Sequence, residues 1–266
     1  MKYLLQTGCK ELQFEMQQVE SLLKEKRNSL ISDVYYSTLE DLDEGIAGNI
    51  IPIGTIEFVE TYLRLTVPGF EKENPIEIPE AISSWHNCYL GRDYKIVPYE
   101  EIPKEGRFFL KDVSTLKKFA RIVRFPEELS ILEELDKTAL YQVSEVLDVL
   151  SEWRVYVIDG KVENVCCYNG DAAMPPEEYF LKAIEEIMRN PELNKQEWLK
   201  SFTIDVAVYK GMDYKHKSAV LEVHNFTSVG LYSTLWGDNL LLAYRQGIDY
   251  LIHDNRKLKP MIISGK

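Results

Sequence analysis

The chain of 266 residues is 45% hydrophobic, 11% aromatic and 28% charged, enough apolar material for a sizeable core, which excludes an intrinsically disordered chain. Its 31 Lys and Arg against 43 Asp and Glu leave a net charge of −12, which repels polyphosphate chains and counts against nucleic acid as a partner. Cys9, Cys88, Cys166 and Cys167 form no CxxC pair, no apolar run reaches membrane-spanning length, and the first residues lack a signal-peptide core. A cytoplasmic protein with reduced thiols and no membrane partner is therefore expected.

Hydrophobic spacing predicts a strand over residues 3–6 and then a helix over about 10–27, with Leu12, Met16, Val19, Leu22 and Leu23 on one stripe. An alternating segment over 33–39 follows, and a short apolar strand ends at Gly54. Thr55 is a candidate N-cap for a helix that turns Phe58, Val59 and Tyr62 inward. Strand and helix alternate here, which implies a small α/β unit. Residues 67–103, rich in Pro and Glu, read as a linker with a boundary near 84–91.

The middle third predicts strands over 106–113 and 115–123, a helix over 126–138 and a third strand over 139–149, a small α+β layer. The sharpest local signal is at 151–168, where two alternating runs flank Asp159-Gly160, the preferred pair for a type I′ hairpin. Counting outward from that turn pairs Ile158 with Lys161, Tyr156 with Glu163, Arg154 with Val165 and Glu152 with Cys167. A helix is expected from Pro176 to about Asn190, with Phe180, Ala183, Ile184, Ile187 and Met188 inward. The segment SFTIDVAVYK puts Phe202, Ile204, Val206 and Val208 on one face and Asp205 on the other. Return of the chain through SAVLEVHNF sets Asp205 opposite Glu222 in the simplest antiparallel register. A last helix begins after Asp238.

Phosphate-loop, Rossmann, serine-hydrolase and zincin motifs are all missing from the chain. His86, His216, His224 and His253 are scattered, so each reads as a surface or core histidine rather than a zinc ligand. What remains is oxygen-rich: Asp205, Glu222 and Asn225, hard ligands suited to magnesium held with nucleotide phosphates. A regular strand sends Glu222 and Asn225 to opposite faces, so a shared role requires the strand to end or bulge near His224. Two acids in a hairpin are more often simply solvated, and that alternative stays open. If instead they are buried together, their repulsion is relieved by Glu222→Gln at low magnesium. Lys111 ends the strand FFLK, Lys117 and Lys118 follow it and Arg92 precedes it, although lysines at strand ends are usually just exposed. Arg154 beside Glu152 reads equally well as a surface pair.

Taken in order, Arg92, FFLKDV, LYQVSEV, SEWRVYV, TIDVAV and VLEVHN resemble the ATP-grasp superfamily, most closely its small divergent phage and bacterial members of unassigned substrate. The most specific pieces are E-x-R at Glu152 and Arg154, and E-x-x-N at Glu222 and Asn225 after an aspartate-bearing strand. The resemblance implies a fold of mixed α/β and α+β class: an N-terminal α/β domain over 1–90, a central lid over 91–150, and a C-terminal antiparallel-sheet domain over 151–266. It further implies that Lys111 contacts phosphate or base, that Ser144, Glu145 and Val146 form the adenine hinge, and that Arg154 faces the transferring phosphoryl group. Glu152 would join the nucleotide site, Arg92 would stand where the superfamily has its first lysine, and Lys117 precedes Phe119 as in the divergent members. Asp205, Glu222 and Asn225 would hold magnesium, with Arg154, Lys111 and Glu222 as the catalytic set. The loop DVSTLKKF departs from the glycine-rich loop of typical members. The implied activity is ATP- and magnesium-dependent ligation of a small-molecule or peptide carboxylate to an amine or thiol through an acyl phosphate. A phosphotransferase and a non-catalytic ATP-binding module of the same fold are the rivals.

Overall fold

Near the N-terminus, the apolar strand β1 (Lys2–Gln6) lies between β2 (Asp33–Ser37) and β3 (Ile51–Ile53) in a parallel sheet of order β2-β1-β3. The computed structural model describes residues 2–26, 33–46, 48–70, 90–113, 119–189, 199–211, 213–232 and 239–254. Parallel strands need crossover connections, and α1 (Gln13–Lys26) supplies the one from β1 to β2. The helix α2 (Ile56–Thr66) follows β3, and Thr55 caps it as expected, its hydroxyl oxygen accepting the Phe58 amide at 3.2 Å. Phe58, Val59 and Tyr62 are all buried.

The second sheet is antiparallel, with β4 (Tyr94–Pro98), β5 (Gly106–Asp112), β6 (Ala120–Phe125) and β7 (Leu140–Ser144) in the order β4-β7-β5-β6. Three expectations need correction here. The strand β4 lies inside the stretch read as linker, because its pairing with β7 outweighs the Pro and Glu content around it. The expected helix over 126–138 is only a 3₁₀ segment, Leu129–Glu133, which buries Ile131 and Leu132 against the sheet, with Leu135 just beyond it in the same cluster. The third strand ends at Ser144 rather than 149, with the Glu145 amide making a last bond to the Asp93 carbonyl at 3.0 Å in the same register.

The third sheet is built from β8 (Val149–Ile158), β9 (Lys161–Gly170), β10 (Phe202–Lys210) and β11 (His216–Asn225), in the order β11-β10-β8-β9 and antiparallel throughout. Asp159 and Gly160 have φ of 50° and 74°, the two positive values that a type I′ turn demands. Ile158 pairs with Lys161 as expected, but register shifts leave Tyr156 opposite Asn164, Arg154 opposite Cys166 and Glu152 opposite Asn169. Each shift is a β-bulge, which inserts an extra residue in one strand and which alternation alone cannot locate. Gly160→Val forces a β-branched side chain to positive φ. It should lower stability by about 1–3 kcal/mol while any nucleotide-induced shift in melting temperature persists, as differential scanning fluorimetry would register.

One face of the third sheet, with Val155, Val157, Phe202, Ile204, Val206 and Val223, packs under α3 (Glu178–Arg189) through Phe180 and Ile184. The Tyr156 and Ile158 end of the opposite face joins the core of the first sheet, together with α4 (Asn239–Asp254). No described helix is long and apolar enough to cross a membrane. The central strand β10 is buried from Phe202 to Tyr209, so a charge on it must find a partner inside the protein.

Candidate active site

Asp205 is that charge. Cross-strand registers put it opposite Arg154 on β8 and opposite Glu222 on β11, so Arg154, Asp205 and Glu222 form one row across three strands. The next row is Tyr156, Thr203 and His224, on the same face. The Arg154 guanidinium grips Asp205 with both edge nitrogens, Nε to Oδ1 and Nη2 to Oδ2, each at 2.8 Å. Burial by itself pushes the Asp205 carboxyl up. Hydrogen bonds and charge from Arg154 and His224 more than offset this and hold it below the usual aspartate value. The same carboxylate holds the Arg154 pKa above its ordinary value despite burial.

A carboxyl with a lowered pKa in the fold stabilises it above the unfolded-state value near 3.8, and that contribution is lost as pH falls from there through the lower folded value. The wild-type melting temperature should therefore fall more steeply below about pH 4 than that of Asp205→Asn. Parallel acid melts by circular dichroism check this, and equal slopes would contradict the pairing.

Glu222 is paired as well. The Lys111 ammonium, from the end of strand β5 in the second sheet, donates to Glu222 Oε1, and His224 Nε2 lies 2.8 Å from Glu222 Oε2 and 3.5 Å from Asp205 Oδ2. Each acid thus has its own cation. The expected relief of acid repulsion by Glu222→Gln gives way to a loss of pairing, because the Lys111 side chain is only 11% exposed. Lys111 leaves the second sheet on the face away from its apolar core. Gln142 lies opposite it, and both Gln142 and Ser144 are buried polar residues. Two sheets therefore present polar faces to one another, joined by this ion pair.

The remaining expected residues fall into distinct places. Arg92 is buried, its Nη1 donating to the Leu90 and Val220 carbonyls at 2.6 and 2.7 Å, and desolvation lowers its pKa. Its guanidinium also lies over the Tyr94 ring at 5.8 Å, and Glu222 is near enough to offset part of the desolvation. Glu152 accepts hydrogen bonds from the Tyr168 hydroxyl at 2.9 Å and the Asn169 amide at 3.1 Å. Ser144 ends β7, and Glu145 is tied to Asp93 through backbone and side chain before Val146 leads on to the third sheet. Lys117 lies outside the described residues, as does Lys118.

Asn225 does not join Asp205 and Glu222. The bulge in β11 falls at Leu221, before Glu222, so the strand stays regular from Glu222 to Asn225 and sends Asn225 to the Phe202 face. There its amide nitrogen donates to the Gly247 carbonyl of α4 at 3.1 Å. His224, two residues after Glu222, returns to the acid face instead, and the ligand atoms of Asp205, Glu222 and His224 all lie within 4.8 Å of one another. Two carboxylates and an imidazole within that distance fit a divalent cation.

Reading the sequence also missed the surroundings of Arg154. Tyr168 and Tyr232 stack at 5.3 Å and 21°, and the Arg154 guanidinium lies 5.6 and 5.2 Å from their rings. The Tyr156 hydroxyl donates to the Gly230 carbonyl at 2.7 Å and accepts the Tyr232 amide at 3.1 Å, so the chain after β11 is held across this face.

A family model described as "ATP-grasp domain, R2K clade family 2" matches residues 89–237, more than half of the chain and every strand of the second and third sheets. The chain belongs to the ATP-grasp superfamily. Its fold is that of solved ATP-grasp structures. D-cycloserine synthetase superposes with a TM-score of 0.58 at 13% identity, over 94% of this chain and 100% of that one. A RimK-domain ATP-grasp protein from Sphaerobacter thermophilus gives 0.51 at 13% identity, over 96% and 99%. N5-carboxyaminoimidazole synthetase from Staphylococcus aureus, solved with ADP, gives 0.53 at 9% identity, over 93% and 76%. No curated protein matches the chain in sequence. At such identities the likeness concerns the ATP-grasp fold, and chemistry has to be argued from this chain's own residues.

Proposed function

We propose that the protein is an ATP-dependent ligase that joins a small-molecule or peptide carboxylate to an amine or thiol. The observation that carries this reading is the row of Arg154, Asp205 and Glu222 facing Lys111 across the gap between two sheets, two neighbouring acids with a cation on each side. A metal–nucleotide needs both signs: carboxylates for the cation, and lysine and arginine for phosphate oxygens. The family's nucleotide, ATP, and the family's ion, magnesium, supply the charges that these side chains otherwise supply to each other.

In this reading Asp205 and Glu222 hold the cation, which neutralises phosphate oxygens when bound. Lys111 leaves Glu222 for the phosphates, and Arg154, held in orientation by Asp205 and the two tyrosines, faces the transferring phosphoryl group. The substrate carboxylate oxygen attacks the terminal phosphorus, ADP leaves, and the acyl phosphate is captured by the amine or thiol with release of phosphate. Ser144, Glu145 and Val146 form the adenine hinge, where the second sheet hands the chain to the third. Glu152 and Arg92 border the nucleotide, with Lys117 assigned to the phosphates. The units 1–90, 91–150 and 151–266 are proposed as N-terminal domain, lid and C-terminal domain.

The test is ADP release by the full chain with panels of carboxylates and amines or thiols, followed by mass spectrometry of the products. ADP release that needs both substrates and yields an amide or thioester supports the ligase. A phosphorylated acceptor without condensation would instead make the protein a phosphotransferase, and nucleotide binding without turnover on any pair would favour a binding module.

A further inference from the structure

We propose that His224 is the third protein ligand of this cation site, and that the site therefore favours a first-row divalent transition-metal ion, with Mn2+ as the probe, over Mg2+. The inference rests on the reading of Asp205 and Glu222 as the acids that hold the cation. It changes the donor set from three oxygens to two oxygens and one nitrogen.

The geometry leaves little choice of third ligand. The imidazole Nε2 already points between the carboxylates, at 2.8 Å from Glu222 and 3.5 Å from Asp205. A divalent ion seated between these three groups would meet the imidazole nitrogen as a ligand atom beside the two carboxylates. Asn225 cannot compete from the opposite face. Its amide nitrogen donates to the Gly247 carbonyl, and its Oδ1, buried without a partner among the described residues, lies on the Phe202 side of the sheet, away from the acids.

A second observation stands apart from the acids. Thr203 lies directly across from His224 on the same face, is fully buried, and its hydroxyl has no hydrogen-bond partner among the described residues. An unspent buried hydroxyl is costly in a protein interior unless something polar meets it. A water on a bound ion beside His224 is one such group.

The selectivity follows from ligand chemistry. Carboxylates and carbonyls suit Mg2+ and Mn2+ alike, but imidazole is a borderline ligand that the hard Mg2+ uses poorly and transition ions use well. Mg2+ stays usable at higher concentration, because the two acids and the phosphates remain oxygen donors.

Electron paramagnetic resonance of Mn2+ bound to the full chain with ADP tests this directly, using protein carrying either natural or 15N-labelled histidine. A histidine nitrogen coupling to Mn2+ is expected in the wild type, shifted by the label and lost in His224→Asn and His224→Gln. Competition titrations should find Mn2+ favoured over Mg2+, and both variants should narrow that preference about tenfold or more. Mn2+ binding without histidine coupling in the wild type overturns the inference whether or not the variants fold. An unchanged Mn2+ to Mg2+ ratio in folded variants does so too. The underlying reading fails separately: it falls if Asp205→Asn and Glu222→Gln keep full affinity for both ions.

Discussion

Glu222→Gln is expected to reduce ADP formation by orders of magnitude and also to lower the melting temperature of the protein without nucleotide. Both effects come from one carboxylate. The amide keeps the size and one oxygen acceptor but gives the cation a neutral ligand, a loss felt wherever phosphate charge must be neutralised. The stability effect has a sign that separates two pictures of the site. If Asp205 and Glu222 merely repelled each other, removing one charge would stabilise the fold. Lys111 and His224 are instead directed at Glu222, and the Lys111 side chain is 11% exposed, so the variant takes the charged partner away from a largely buried ammonium. A cost of about 1–3 kcal/mol is expected, or several degrees in melting temperature for a chain of this size. A melting temperature above the wild type would overturn this pairing.

Arg154→Ala should have the largest effect on stability of any single change in the site. It removes both hydrogen bonds to Asp205, whose carboxylate sits on a strand buried on both faces, and it removes the guanidinium that lies against the stacked Tyr168 and Tyr232 rings. Breaking a buried pair by deleting one partner costs about 3–5 kcal/mol, so a fall in melting temperature on the order of ten degrees is expected. Arg154→Lys restores the charge without the planar fork. It should recover part of the stability and little of the turnover, because one ammonium cannot meet both carboxylate oxygens and a phosphoryl group together. Full activity in Arg154→Lys would remove Arg154 from the reaction.

Much of this site was legible because strand alternation is a strict rule. The pattern in SFTIDVAVYK isolates Asp205 from its apolar neighbours, and the return strand sets Glu222 opposite, as the register has it. The partner of Arg154 was not legible. Hairpin counting ties β8 to β9, whereas Asp205 reaches Arg154 because β10 pairs with the other edge of β8, a long-range choice with no local signal. His224 was overlooked for a related reason. A lone histidine carries no motif, and the E-x-x-N spacing drew attention to Asn225, although the period of two already favoured the residue at Glu222 plus two. The 3₁₀ segment at Leu129–Glu133 shows the limit of helical spacing, since Ile131, Leu132 and Leu135 satisfy either period.

The central claim is that acids and cations on two facing sheets are arranged for a metal–nucleotide. The most direct measurement is the melting temperature of the protein with ATP, with magnesium and with both, repeated under excess chelator. A clear rise is expected only when ATP and the divalent ion are present together, because neither charge set is neutralised without the other. Equal stabilisation by ATP in chelator and in magnesium, or none in either, would contradict the account.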